Sequence, residues 1–209
     1  MVLVPTLESG PFILLLVAIA AYLLGSIPFG ILVARAFGLP DPRTIGSKNI
    51  GATNMLRTGS KPAALATVLL DGAKGGIAVI IARALFAEDA AQFAGLAAFF
   101  GHLYPVFLKF KGGKGVATLL GTVVGLAPFI GLIALLAWLF AYFVFRYSSL
   151  SALMSAAVTP PIAIMLGFEH MALVLFVMAI MVFWRHRENI KRLQAGTEPM
   201  VDWGKKKNE

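Results

Sequence analysis

The chain alternates long apolar runs with short polar connections, and the runs have the length of membrane crossings. Apolar stretches occupy residues 12–34, 63–86, 91–108, 150–166 and 171–184, against the roughly 17–25 residues a helix needs to cross hydrocarbon. A sixth run, 116–145, is interrupted by Gly121, Gly125, Pro128 and Gly131. As one tilted helix it would leave Arg146 and the basic C-terminal segment outside. Broken at 125–128 it returns the chain, because proline removes a backbone donor and clashes with the preceding turn. Each half then holds about 15 residues, roughly 22 Å of helix against a core of about 30 Å, so local thinning or a re-entrant pair is implied. The expected fold is an all-α integral membrane protein of seven transmembrane helices, some short or re-entrant, with the N-terminus outside and the C-terminus cytoplasmic. Residues 1–197 form one membrane-embedded domain and 198–209 a basic cytoplasmic tail.

Composition agrees with the pattern: 59% hydrophobic residues, 13% charged and a mean hydropathy of +0.85 exclude a soluble domain. With no cysteine there is no disulfide framework, no thiolate nucleophile and no cysteine metal site. The net charge of +8 suits nucleic acid or membrane, and its placement decides. Sixteen of the 18 Lys and Arg residues lie in four stretches, from Arg35 to Lys61, Lys109 to Lys114, at Arg146, and from Arg185 to Lys207. Lys74 and Arg83 are the exceptions, and Glu8, Glu88, Asp89 and Glu169 mark the other connections. That is a positive-inside distribution. No basic stretch is long enough to form a nucleic-acid-binding module.

The basic connections also carry the polar motifs. The first runs Gly46-Ser47-Lys48-Asn49-Ile50-Gly51-Ala52-Thr53-Asn54-Met55-Leu56-Arg57. Hydroxyls and amides interleaved with glycine can converge on an anion, with Arg57 as a bidentate fork; the same residues also make an ordinary helix-capping connector. The second, Lys109 to Thr118 with Lys111-Gly112-Gly113-Lys114-Gly115, precedes a helix and offers a phosphate cradle or a basic patch for anionic lipid. It is not a Walker A loop, since Gly115 stands where Ser or Thr is required. The third is Trp184-Arg185-His186-Arg187-Glu188-Asn189-Ile190, in which His186 and Asn189 share a helical face and His186 is a base, a phosphate ligand or an interfacial histidine. Glu188 reads as an ion-pair organiser. Ser148, Ser149 and Ser151 beside Arg146 suit anion contact or a helix cap. Asp71 and Lys74, three apart inside an apolar run, read as a structural ion pair, and His102 and His170 as structural.

Several chemistries lack their residues. A glycerolipid acyltransferase of the H-x-x-x-x-D type needs an acid five positions after its histidine, where this chain has Phe107, Leu175 and Lys191. No carboxylate cluster offers a metal site or the acids of a CDP-alcohol phosphotransferase. A cation-lined pocket with scarcely any general base suits an activated substrate such as an acyl phosphate, whose leaving group needs little acid assistance. A membrane transporter or channel for small phosphorylated anions is the alternative, although its polar residues would be expected near the midplane.

Residues 46–57, the stretch from Gly101-His102 to Thr118, and 185–190 together resemble the bacterial acyl-phosphate:glycerol-3-phosphate acyltransferase family, PlsY, over roughly residues 22–197. The resemblance implies transfer of an acyl group to the sn-1 hydroxyl of glycerol 3-phosphate, giving lysophosphatidic acid at the cytoplasmic face of the bacterial inner membrane. It implies catalytic roles for Ser47, Arg57, Lys114, His186 and Asn189. Asn49, Gly51, Thr53, Asn54, Lys111, Gly112, Gly113, Gly115, Ser149 and Ser151 become substrate-binding residues, and Glu188 resembles the family's structurally important glutamate. Lys48 stands where many members carry glycine and Tyr104 where Phe is common. No cofactor or metal is implied. The partners implied are the two substrates and membrane lipid, with the enzyme that makes acyl phosphate and the next acyltransferase as candidate protein partners.

Overall fold

The computed structural model describes residues 3–201. Lys205 to Lys207, the cations of the expected tail, lie outside the described residues. Among those described there are helices and no strands. In order they are α1 (Pro11–Gly25), α2 (Phe29–Ala36), α3 (Ala52–Met55), α4 (Lys61–Leu85), α5 (Glu88–Leu103), α6 (Val116–Leu126), α7 (Pro128–Phe145), α8 (Ser148–Met165), α9 (Ala172–Arg185) and α10 (Arg187–Gln194).

The expected continuous first span is broken. Pro28 has no N–H to continue α1, and the chain passes through Ser26 and Ile27 before α2 begins. Lys74 donates to the Ile27 carbonyl at 3.2 Å, so the intramembrane lysine satisfies an acceptor that the break exposes. The break in 116–145 lies where glycine and proline predict it, at Ala127, but its halves are unequal at 11 and 18 residues. Gly131 fits against the backbone of Val124, so α7 doubles back along α6. Arg83 closes the turn, donating to the carbonyls of Gly125 at 2.7 Å and Leu126 at 3.0 Å while its Nε pairs with Glu88 at 2.8 Å. The second exceptional cation therefore caps the end of α6.

Close approach explains the glycines of the helix faces. Gly121 and Gly125 of α6 meet Gly72 and Gly76 of α4, where a Cβ on Gly121 would strike the Gly72 backbone and one on Gly125 would crowd that of Gly76. Phe99, Leu103, Val123, Ile130, Leu175 and Met178 fill the space among α5, α6, α7 and α9, while Leu69, Ile80, Phe140, Phe143 and Ile180 face outward. Among the described residues five helical spans are long and apolar enough to cross a bilayer, Pro11–Ala36, Lys61–Leu85, Glu88–Leu108, Pro128–Phe145 and Ser148–Met165, with 169–194 a sixth if its two bent helices count as one span. The helices at 169–185 and 187–194 meet at 60°, so the basic α10 departs from the line of α9.

Candidate active site

The three polar motifs and the start of α8 converge at one end of the bundle. Lys114 donates to Asn189 Oδ1, joining the glycine loop to α10. Thr53 Oγ1 and Ser148 Oγ lie 2.9 Å apart, joining the first loop to α8.

The first loop is organised around Asn54, which is buried. Its amide donates to the carbonyls of Pro42 at 2.6 Å, Asn49 at 2.9 Å and Ile45 at 3.2 Å, and its Oδ1 accepts from the Ser47 N–H at 3.0 Å. Asn49 accepts from the Gly51 N–H at 3.0 Å. Both asparagines are thus scaffold of the loop, a use that their spacing from Ser47 does not reveal. Ser47 and Arg57 remain exposed, with Arg57 Nη1 3.5 Å from Asn54 Oδ1. Lys48 sits at φ +57, the left-handed region that glycine enters without strain.

The glycine loop departs from the simple cradle. The Gly112 and Gly113 amides already donate to the carbonyls of Leu103 at 3.2 Å and His102 at 3.1 Å, so they are not the phosphate donors that the spacing suggests. Their lack of side chains is a packing requirement. A Cβ on Gly112 would strike the His102 and Leu103 carbonyls, and one on Gly113 the His102 imidazole. Gly115 turns the chain into α6 at φ +86 against the Phe99 ring and leaves the first-turn amides of α6 without a side-chain cap. Lys111 is exposed, whereas burial pushes the Lys114 amine down to about 8, with Arg192, Arg185 and Arg57 adding to the descent and Glu198 opposing it.

In the third motif, His186 is buried and its Nδ1 lies 2.8 Å from the Val182 carbonyl, an arrangement that needs the proton on Nδ1 and leaves Nε2 as the acceptor. Burial, and then the charge of Lys114, push it down to about 4. It is therefore neutral at pH 7, not a group poised to titrate there. Asn189 donates its amide to Glu198 Oε1 at 2.6 Å, which orients its Oδ1 toward Lys114. Glu198 also accepts from Ser149 Oγ at 2.7 Å and from Arg192 Nε at 2.7 Å. Burial raises its carboxyl, but these hydrogen bonds prevail and hold it below the usual range. Ser151 is buried and bonds back to the Tyr147 carbonyl at 2.9 Å.

Glu198 is the residue that sequence reasoning missed. It reaches the site because the chain reverses after α10: Gly196, at φ +67, donates to Leu193, Thr197 donates to Arg192, and Val201 N–H bonds to the Arg146 carbonyl at 2.7 Å. Glu188 makes ion pairs as expected, 3.4 Å from Lys191 and 3.8 Å from Arg187, but does so on the surface, with its side chain 59% exposed. Asp71 and Lys74 form their ion pair at 2.9 Å, joined by His102 Nδ1 at 3.5 Å from Asp71.

The sequence profile of the family described as glycerol-3-phosphate acyltransferase matches residues 15–196. A glycerol-3-phosphate acyltransferase of Cereibacter sphaeroides is 57% identical over 205 residues, covering 98% of this chain and 97% of its own. One from Dinoroseobacter shibae is 56% identical, covering 94% and 97%. The crystal structure of PlsY (YgiH), an integral membrane glycerol 3-phosphate acyltransferase in its glycerol 3-phosphate form, superposes with a TM-score of 0.85 at 40% identity, over 90% of this chain and 96% of that one. Its lysophosphatidic acid form gives 0.84 at 38% identity, over 90% and 95%. With this agreement in sequence along nearly its whole length and in three-dimensional fold, the chain belongs to the glycerol-3-phosphate acyltransferase family.

Proposed function

We propose that this protein transfers an acyl group from an acyl phosphate to the sn-1 hydroxyl of glycerol 3-phosphate, yielding lysophosphatidic acid and phosphate at the cytoplasmic face of the bacterial inner membrane. The observation that carries the reading is the junction of Lys114 with Asn189, flanked by His186, Ser149 and the first loop with Arg57, which gathers donors for two phosphorylated reactants at one end of an apolar bundle. The positive-inside placement of the basic connections supports a seven-crossing topology with the N-terminus outside. An open apolar groove of about 350 Å³, lined by Leu150, Leu153, Met154, Phe183, Ile190 and Leu193, runs between α8 and α9 beside this end and suits an acyl chain arriving from lipid.

In the reaction the acceptor hydroxyl oxygen bonds to the acyl carbon, the bond from that carbon to the phosphate oxygen breaks, and phosphate departs. Lys114, Arg57 and the uncapped first turn of α6 stabilise phosphate charge, the developing charge included. The hydroxyl proton passes to a donor phosphate oxygen. His186, neutral with Nε2 free to accept, is a hydrogen-bond ligand and a weak base by virtue of its low pKa of about 4. Detergent-purified protein supplied with labelled glycerol 3-phosphate and synthetic acyl phosphate should form acylated product; absence of product with intact, folded protein would overturn the reading. His186→Ala turning over near normally at saturating substrate would exclude it as an obligatory base.

A further inference from the structure

Lys114 ends a loop whose first half closes on itself, the Leu108 and Phe110 amides donating to the Pro105 carbonyl and the Lys111 amide to that of Leu108, while the Gly112 and Gly113 amides donate outside it, to the end of α5. Lys109 and Phe110 both occupy the left-handed region, at φ +51 and +61, and Gly112 and Gly113 have no side chains with which to anchor themselves. The loop is instead gripped from two sides. From within, the end of α5 accepts its amides, and the His102 imidazole lies so close to Gly113 that any Cβ there would meet Nε2. That ring lies beside the Asp71–Lys74 ion pair, its Nδ1 3.5 Å from Asp71. From the other side the Arg185 fork donates Nε to the Gly113 carbonyl at 3.0 Å and Nη2 to the Gly112 carbonyl at 2.9 Å. Its guanidinium lies 5.4 Å from the centre of the Tyr104 ring.

We propose that His102 and Arg185 are positioning residues for Lys114, a clamp that closes on Gly112 and Gly113 from opposite sides and so aims the lysine at Asn189 and at the phosphate of a reactant. The inference rests on the acyltransferase reading above. Arg185 flanks His186 and looks like one more phosphate cation, yet two of its donors are engaged by loop carbonyls. Its contribution is geometric, and geometry is what lysine cannot reproduce: a point charge on a flexible stem replaces a planar fork. The two roles therefore separate experimentally. If Arg185 supplied charge alone, Arg185→Lys would retain most of the rate. For a clamp, Arg185→Lys loses on the order of tenfold in kcat/KM, since small misplacements of a positioned group carry such penalties.

A second readout tests whether the effect travels through Lys114. Turnover of glycerol 3-phosphate with synthetic acyl phosphate should be measured for wild type, Arg185→Lys, His102→Ala, Lys114→Ala and the two doubles carrying Lys114→Ala. The clamp requires the Arg185→Lys and His102→Ala losses to vanish once Lys114 is gone, because groups acting as one unit are non-additive. Losses that multiply independently of Lys114 overturn it, as does an Arg185→Lys enzyme with the wild-type kcat/KM. Should His102→Ala not fold, the arginine series decides alone. Calorimetry with inorganic phosphate gives a readout independent of acyl transfer. Weakened phosphate binding in Arg185→Lys supports the clamp even if no acylated product forms in wild type, the result that would sink the acyltransferase reading alone; binding unchanged from wild type overturns the clamp.

Discussion

Two clusters in this protein are assembled from one carboxylate, one lysine and one histidine each. In the first, Asp71, Lys74 and His102 are almost wholly buried in the bundle and touch directly, Lys74 to Asp71 at 2.9 Å. Further contacts tie them to neighbouring elements: Lys74 to the Ile27 carbonyl and, at 5.9 Å, the Phe29 ring, the Thr118 hydroxyl to the Asp71 carbonyl, and His102 against Gly113. In the second, the neutral amide of Asn189 stands between Lys114 and Glu198, Ser149 donates to Glu198, and His186 bonds to the Val182 carbonyl, at an end reached by polar loops. The inventory is the same but for Arg192, which pairs with Glu198 at 2.7 Å, and the uses differ. Burial keeps the Asp71–Lys74 pair out of reach of a soluble ligand and ties helices together, whereas the amide bridge of Asn189 leaves a lysine whose partner can be exchanged for phosphate. A titratable cluster becomes a site through access and replaceable partners, not through its residue types.

The largest expected effect breaks the second cluster. Lys114→Ala should lower kcat/KM by roughly 10²–10³-fold, the scale of losing one preorganised donor to a developing charge, with an unfolding midpoint near wild type. Wild-type turnover would place the phosphate elsewhere. The first cluster should respond in the opposite manner. Lys74→Met leaves Asp71 buried and unpaired, a change that costs about 3–5 kcal/mol in stability, and the double change with Asp71→Asn should recover much of it. Thermal unfolding in detergent reads both. A destabilised Lys74→Met that the second change does not rescue would mean that the Ile27 contact, not the ion pair, is what matters.

How much of this contrast the sequence shows can be judged at single positions. The helical spans, the Gly125 to Pro128 break and the Asp71–Lys74 pair are legible because run length, proline and three-residue spacing are local facts. The convergence of loops is legible only through charge placement and resemblance. The interruption at Pro28 is hidden by an apolar run that reads continuously across it. The amides of Gly112 and Gly113 mislead, because glycine in a loop before a helix signals a cradle equally well when the missing side chains serve close packing. Glu198 is invisible for a different reason: its role depends on the reversal at Gly196, and a lone acid nine positions after Asn189 has no periodic relation to the site.

The pH dependence sharpens the comparison with a smaller effect. With its amine lowered from 10.5 to about 8, Lys114 is a cation below pH 8 and loses its charge as pH rises through that value. The phosphate site needs the cation, so kcat/KM should fall above pH 8, approaching tenfold per unit, and Lys114→Arg should carry the falling limb out of range. Stability moves the other way. Between about 8 and 10.5 the unfolded chain binds the extra proton, so this group favours the folded state increasingly as pH rises across that window. A pH–rate profile beside a pH–unfolding series checks the opposed signs, and a kcat/KM flat to pH 10 would remove Lys114 from the phosphate site.

The smallest expected effect separates two glutamates ten positions apart. Glu188 is more than half exposed and its partners Lys191 and Arg187 are solvated, so Glu188→Gln should change stability by less than about 0.5 kcal/mol and leave turnover at the wild-type value. Glu198→Gln keeps nearly the same shape but withdraws charge from Arg192 and weakens the bonds that orient Asn189 and Ser149. Its kcat/KM should fall by on the order of tenfold, in line with a lost charge-assisted hydrogen bond of about 1.5 kcal/mol. The pair of variants matters more than either alone, because both remove one negative charge from the same basic segment. If net charge governed the site, the two would match. A loss confined to position 198 assigns the organising role to the acid that the chain reversal brings inward, and a loss at position 188 instead would return that role to the surface.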